Sequence, residues 1–226
     1  MPKKDFKKVT KTTNWKILLY GKPGVGKTSA AQNLTGNVYL LGFNDSYKVL
    51  GEHDNWGLWE LDQTHPIEDL NEFFKDFDPK QWDTLILDDI SNFEKIWFQE
   101  KGRESKNGIS NELQHYAQWT NYFLRFISKL YSMPINILTT AWEQQVEVNT
   151  ETGQQFMQYA PMLRDSVRNT LMGLSDVVGR VVVKPDDHTR GVILEGNDSV
   201  FAKNRLDNRK GCKTADIFKF GDVKHV

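Results

Sequence analysis

The sequence predicts an α/β protein: a mostly parallel sheet flanked by helices, with antiparallel strands added at its C-terminal edge. Three observations predict it. Four short apolar runs within residues 15–141 alternate with stretches of helical periodicity, the pattern of a parallel sheet with crossover helices. A glycine-rich loop, residues 21–28, joins the first apolar run to the first helical stretch. Beyond residue 141 the pattern changes to short β-prone runs separated by turn residues, which reads as hairpins. The length of 226 residues supports one well-buried core, and 38% hydrophobic with 26% charged residues excludes collagen-like, low-complexity and wholly disordered classes. No internal repeat or Gly/Ser linker divides the chain, so residues 14–226 read as one domain behind a flexible basic arm, residues 1–13.

Taken in order, Trp15 to Tyr20 is a buried strand bounded by Gly21 and Pro23. Thr28 to Leu34 is a short helix closed by Gly36, and Val38 to Leu41 is the second strand. Residues 42–66 read as irregular, although they hold Trp56 and Trp59. Glu68 to Phe77 places Leu70, Phe73, Phe74 and Phe77 at helical spacing, and Pro79 stops that helix. Leu85 to Leu87 is the third strand and ends in Asp88 and Asp89. Phe93 to Phe98 opens a helix, while residues 99–111 lack apolar periodicity and read as an exposed loop. A long amphipathic helix runs from about Glu112 to Tyr131, and the fourth strand covers Ile135 to Ala141. Short strands follow at Val146 to Val148, Val177 to Val183, Val192 to Glu195 and Val200 to Ala202.

The formal net charge is -1, which argues against a protein coated in basic surface. The charge is uneven: residues 1–16 hold six lysines against one aspartate, and residues 203–213 hold Lys203, Arg205, Arg209, Lys210 and Lys213 against Asp207. Such runs are either solvated surface or local phosphate-binding patches. Cys212 is the only cysteine, so an intramolecular disulfide is excluded and a reducing compartment fits. No apolar run approaches the roughly 20 residues of a membrane span, and the basic start leads into no signal-like apolar region. The expected location is cytoplasmic. The five histidines are dispersed, and no serine-hydrolase elbow is present.

Two motifs carry chemistry. Gly21-Lys22-Pro23-Gly24-Val25-Gly26-Lys27-Thr28, with Ser29 after it, fits the phosphate-loop pattern G-x-x-x-x-G-K-[ST] in full and lies between a strand and a helix. Glycines there let backbone N–H groups turn inward around phosphate oxygens, Lys27 reaches the β- and γ-phosphates of ATP, and the Thr28 hydroxyl ligates Mg²⁺. The second motif is the apolar strand ending in Asp88-Asp89, 61 positions after Lys27. Asp88 suits a Walker-B metal-holding carboxylate, and Asp89 or Asp45 is the candidate to position an attacking water. Two adjacent carboxylates repel in one dry site, so a cation or opposite orientations must intervene. Gln144, just past the fourth strand, is a candidate γ-phosphate sensor.

These residues resemble the RecA-like branch of the phosphate-loop ATPases, and more closely the small AAA-type nucleotide-binding proteins of phages and the fourth class of Sak single-strand-annealing recombinases. The resemblance covers roughly residues 14–206 and rests on WKILLYGKPGVGKTS, DTLILDDISNFEK, INILTTAWEQ and FAKNRLDNRKG. It implies a RecA-like core, ATP and Mg²⁺ as ligands, and single-stranded DNA as partner. It also implies self-association into a ring or filament, a single-strand-binding protein as a further partner, and the host cytoplasm as location if phage-encoded. Lys203 and Arg205, carried over from the Lys-Asn-Arg segment, would reach the nucleotide of the neighbouring subunit. Two departures stand out: Phe43-Asn44-Asp45 occupies the place of the usual catalytic glutamate, and Trp142 the place of a histidine in phage relatives. Candidate DNA contacts are Lys101, Arg103 and Lys106 in residues 99–111, and Gln154, Gln155, Phe156, Tyr159, Arg164 and Arg168 in residues 145–170. Two other function classes stay open on the residues: a phosphate-loop small-molecule kinase with a mobile lid, and a non-hydrolysing nucleotide-binding interaction module.

Overall fold

The computed structural model describes residues 10, 12–149 and 153–220. The expected basic arm falls mostly on residues 1–9 and 11, which lie outside the described residues. Six strands form the parallel body of the sheet: β1 (Lys16–Gly21), β2 (Val38–Gly42), β3 (Trp56–Glu60), β4 (Thr84–Asp88), β5 (Asn136–Asn149) and β7 (Val177–Val183). Their spatial order is β3-β2-β4-β5-β1-β7, every neighbouring pair parallel. The Asp88 strand is therefore separated from the phosphate-loop strand by β5 alone. β1 and β4 are buried along their whole length, which is why both read as unbroken apolar runs. Beyond β7 the sheet turns antiparallel through β8 (Arg190–Ile193), β9 (Lys203–Asn204) and β10 (Gly211–Lys213).

The two faces are covered differently. Leu18, Tyr20, Leu41, Leu85, Leu87 and Ile137 face the four α-helices, α1 (Pro66–Asp76), α2 (Ile90–Arg103), α3 (Leu113–Tyr131) and α4 (Asp165–Leu174). The alternate residues Ile17, Leu19, Leu40, Ile86 and Leu138 face 3-10 turns and the C-terminal segment, with Trp15 stacked on Phe218 at 5.4 Å. The segment after the phosphate loop is one of these turns, a 3-10 helix at Thr28–Asn33 where the sequence predicts a short helix to Leu34. The resulting arrangement is an α/β fold built on a mostly parallel sheet flanked by helices, with antiparallel edge strands.

Several expectations are corrected. Residues 42–66 contain a 3-10 helix, Asp45–Leu50, and the edge strand β3, whose Trp-Gly-Leu-Trp-Glu sequence exposes alternate residues. Helix α2 runs from Ile90 to Arg103, so only the later part of 99–111 is loop; Lys101 pairs with Glu104, and Arg103 donates to the Thr64 carbonyl. The fourth strand does not stop at Ala141. It leaves the parallel sheet and continues to Asn149, pairing with the antiparallel β6 (Gln155–Pro161). Val200 to Ala202 is not a strand, although Val200 makes isolated bridges to Tyr159 and Asn197. Among the described residues no helix is long and apolar enough to cross a membrane.

An aromatic cluster ties α2 to the sheet. Phe93, fully buried, lies 4.8 Å from Phe43, 5.1 Å from Phe126 and 5.5 Å from Trp119, ring centre to ring centre. Phe93→Ala is expected to lower unfolding free energy by about 3–5 kcal/mol in chemical denaturation. A change below about 1 kcal/mol would show that the cluster does not anchor α2.

Candidate nucleotide site

Parallel strands deliver their carboxyl ends to one edge, and the site forms there. The phosphate loop leaves β1 at Gly21, packed so closely on β7 that a methyl group added to Gly21 would lie 2.7 Å from the Val181 carbonyl oxygen. Gly24 and Gly26 have φ of 79° and 94°, left-handed conformations that explain why glycine stands at both. Pro23, Gly24, Gly26, Lys27, Thr28 and Ser29 line a cleft of about 430 Å³, whose opposite wall includes Asn44, Ser46, Asp88 and Asp89. Lys22 and Val25 complete the loop outside the lining; Lys22 gives its carbonyl to Lys27, and Val25 packs into the core beneath.

Lys27 is buried, and its Nζ donates to the carbonyls of Gly21 and Lys22, both at 3.0 Å. Burial pushes its pKa down, opposed by the charges of Asp89, Asp88 and Glu143. Among the described residues, no acceptor reaches the backbone N–H of Gly24, Gly26 or Lys27. A loop with unpaired N–H groups and a desolvated ammonium is suited to an anionic ligand.

Asp88 is 1% exposed and accepts hydrogen bonds from three hydroxyls. Thr28 Oγ1 lies 3.0 Å from both carboxylate oxygens, Ser46 Oγ lies 2.6 Å from Oδ2, and Thr140 Oγ1 donates to Oδ1. Asp89, joined to Asp88 by a cis peptide, has separate partners: the Asn92 N–H at 2.7 Å, capping α2, and Asn44 Nδ2 at 2.9 Å. The expected conflict between adjacent carboxylates is thus eased by giving each its own set of donors. Burial pushes the Asp89 pKa up to about 6; the Asp88 charge adds to this, and the Asn92 N–H opposes it.

Thr28 Oγ1 and the Asp88 carboxylate are hard oxygen donors at one point, and Ser46 adds a third. That set fits Mg²⁺, which takes one or two carboxylates plus substrate phosphates rather than an all-protein cage. Among the described residues no cluster of three His, Cys, Asp or Glu offers such a cage. When bound, Mg²⁺ would neutralise phosphate charge beside Asp88.

The remaining candidates lie elsewhere. Asp45 pairs with Lys48 at 2.5 Å on an exposed turn and does not line the cleft; its neighbour Asn44 is the residue directed at Asp89. Gln144 does not reach the phosphate cleft either. Its amide donates to the Pro161 and Leu163 carbonyls, just before the start of α4. Trp142 lines the phosphate cleft, with Lys95 Nζ 3.8 Å above its ring. Glu143 lies close enough to raise the Lys27 pKa and forms a half-buried pair with Arg180, Nε to Oε2 3.0 Å. Lys203 Nζ caps α4, donating to the Met172 and Gly173 carbonyls at 2.5 and 3.1 Å, and burial pushes its pKa down to about 8. Arg205 is exposed, and neither residue lines this chain's own cleft.

Sequence reading missed Asn44, Ser46, Thr140, Trp142 and Arg190 as cleft or carboxylate partners. Thr140 and Trp142 stand within INILTTAWEQ and Asn44 within Phe43-Asn44-Asp45, but their partners lie in distant segments, so neither stretch by itself shows what these side chains meet. Of the DNA candidates, Arg168 is buried and paired with Asp165 at 2.7 Å, and the Tyr159 ring is covered by Arg180 at 3.5 Å. Arg164 stacks on Tyr116 at 4.4 Å beside a second cleft of about 490 Å³, which it lines with Gln144 and Ser166.

A carboxyl whose pKa is higher folded than unfolded stabilises the fold below its unfolded pKa, and that contribution is lost as pH rises through the folded one. For Asp89 the loss runs from about pH 4 to about pH 6. Asp89→Asn, which can still cap α2, is expected to raise the Tm of the nucleotide-free protein by several degrees at pH 7.5 and by little at pH 4. In a chain of this size about 1 kcal/mol moves Tm by about 2–4 °C. An equal shift at both pH values would contradict the buried-acid assignment.

Residues 13–206 match the AAA domain family. No curated protein matches the sequence. Among solved structures, a KaiC-like protein of the hyperthermophilic archaeon Pyrococcus horikoshii is similar at 12% identity, with a TM-score of 0.45 over 80% of this chain and 78% of that one. The family match spans most of the chain and contains the phosphate loop, Asp88 and Asp89: the chain belongs to the AAA domain family of phosphate-loop ATPases.

Proposed function

We propose that the protein binds ATP with Mg²⁺ in this cleft and hydrolyses it, as a self-associating ATPase that acts on single-stranded DNA in strand annealing or pairing. The observation that carries the nucleotide reading is the meeting of Lys27, Thr28, Asp88 and Asp89 in one cleft, from segments about 60 residues apart. Lys27 binds the phosphate chain, Thr28 and Asp88 hold the metal, and Asp89 orients the attacking water. Its raised pKa also lets it take a proton from that water more readily than an ordinary surface aspartate would. Arg205, exposed on the turn after β9, is available to a neighbouring copy, where a guanidinium would stabilise charge on the transferred phosphoryl group. Lys203 would first have to leave the α4 carbonyls.

The DNA part of the reading rests on the family resemblance and on the second cleft, where Arg164 over Tyr116 offers a cation beside an aromatic face. The β5–β6 hairpin stands beside that cleft, and unpaired bases stack on such faces at about 1–3 kcal/mol each.

In an ATPase assay, Lys27→Ala is expected to lower turnover by about 100-fold or more. Full activity in that variant would remove the cleft from the mechanism. Single-stranded DNA is expected to raise the wild-type rate in a sample that sizes as an oligomer; a rate indifferent to DNA would leave an ATPase without the DNA coupling. Mixing inactive Asp89→Asn with inactive Arg205→Ala is expected to restore part of the activity, because a mixed interface joins an intact Asp89 to an intact Arg205. No recovery in a mixture shown to co-assemble would contradict supply of Arg205 in trans.

A further inference from the structure

The β7–β8 hairpin passes directly over the phosphate loop. β7 lies against β1, and β8 returns antiparallel with its first residue, Arg190, in register with Val183. This places the Arg190 side chain on Gly26. A methyl group added to Gly26 would lie 2.9 Å from Arg190 Cδ, 3.0 Å from Nε and 3.4 Å from Cζ. Arg190 lines the same cleft as Lys27 and Thr28. Among the described residues its guanidinium makes no ion pair or hydrogen bond, although the cleft holds Asp88 and Asp89. Those carboxylates are committed to hydroxyls, to Asn44 and to the α2 N–H. The backbone is fixed by the hairpin and by Thr214, whose hydroxyl donates to the Arg190 carbonyl at 3.5 Å.

A guanidinium presents five donors in a planar fork that matches two phosphate oxygens. Left unpaired beside a loop whose Gly24, Gly26 and Lys27 N–H groups also lack acceptors among the described residues, it adds positive charge at the place where an anion would sit. We propose that Arg190 is a polyphosphate-binding residue of this cleft, supplied by the chain that carries the phosphate loop. Its ligand is the phosphate chain of the nucleotide rather than the base, because it lies on Gly26, within the loop itself. The proposal rests on the nucleotide reading above and adds to it: one arginine acts from within the subunit, independently of the Arg205 turn of a neighbour.

The test is calorimetric titration of the full-length protein with ATP and, separately, with inorganic tripolyphosphate, at fixed salt. Wild type, Arg190→Ala, Arg190→Lys and Lys27→Ala are compared. Arg190→Ala is expected to weaken both ligands by about ten-fold or more, and Arg190→Lys to recover part of the loss. Arg190 is exposed, so an unchanged thermal melt is expected to accompany the loss. A loss for ATP without a loss for tripolyphosphate would overturn the proposal in favour of a base contact. Unchanged or tighter binding in Arg190→Ala, with Lys27→Ala still weakened, would overturn it while leaving the nucleotide reading intact. Wild type that binds neither ligand would overturn both.

Discussion

A carboxylate with almost no exposure to water must be satisfied where it stands, and at Asp88 three separate segments meet that demand. Thr28 comes from the phosphate loop, Ser46 from the turn after β2 and Thr140 from β5. The strand order makes this possible, because β5 lies between the Asp88 strand and the phosphate-loop strand and brings its own hydroxyl to the gap. The Asp88 anion therefore sets the spacing between the two walls of the cleft. On the facing side Lys27 is desolvated in turn and held by backbone carbonyls rather than by a carboxylate. Neither charge is fully compensated by the other, and a metal bound to a polyphosphate would complement both at once.

The rest of the fold carries that geometry outward. The Asp89 carboxylate caps α2, and one turn later Phe93 fixes the helix in the aromatic core. On the other flank, Glu143 holds Arg180, Arg180 lies on the Tyr159 ring, and Tyr20 Oη donates to the carbonyls of Tyr159 and Phe201. This partly buried chain of contacts connects the neighbourhood of Lys27 to the β5–β6 hairpin and to the segment that leads into Lys203. The two elements proposed above to meet DNA and a neighbouring copy thus share these contacts with the neighbourhood of Lys27. Among the described residues the α-helices lie on one face of the sheet, and on the other the phosphate loop is followed by a 3-10 turn.

The sequence made the phosphate loop and the Asp88 strand legible because both are contiguous and both obey local rules: a glycine spacing, and an apolar run with acids at its end. Four of the six parallel strands, β1, β2, β4 and the first half of β5, were legible for the same reason, since burial on both faces leaves an unbroken apolar signature; β7 reads as part of the antiparallel tail, although it pairs in parallel with β1. What escaped was non-local or weakly patterned. β3 is an edge strand with a glycine, Gly57, at its second position, so its alternation is faint. The length of β5 was hidden because its outer half pairs only with β6 and carries polar residues. Asn44, Ser46, Thr140 and Arg190 are ordinary residues whose roles arise from pairing across roughly 40 to 160 positions. Gln144 was misplaced by position along β5: Trp142, two residues earlier, lines the phosphate cleft, while the Gln144 amide is taken by the Pro161 and Leu163 carbonyls.

The most direct measurement is amide hydrogen exchange of the protein with and without ATP and Mg²⁺. The expected result is protection concentrated at residues 21–29 and at the start of α2, where the loop amides and the Asp88–Asp89 corner meet the ligand. Exchange unchanged at those residues, or protection confined to another part of the molecule, would contradict a nucleotide seated on this loop.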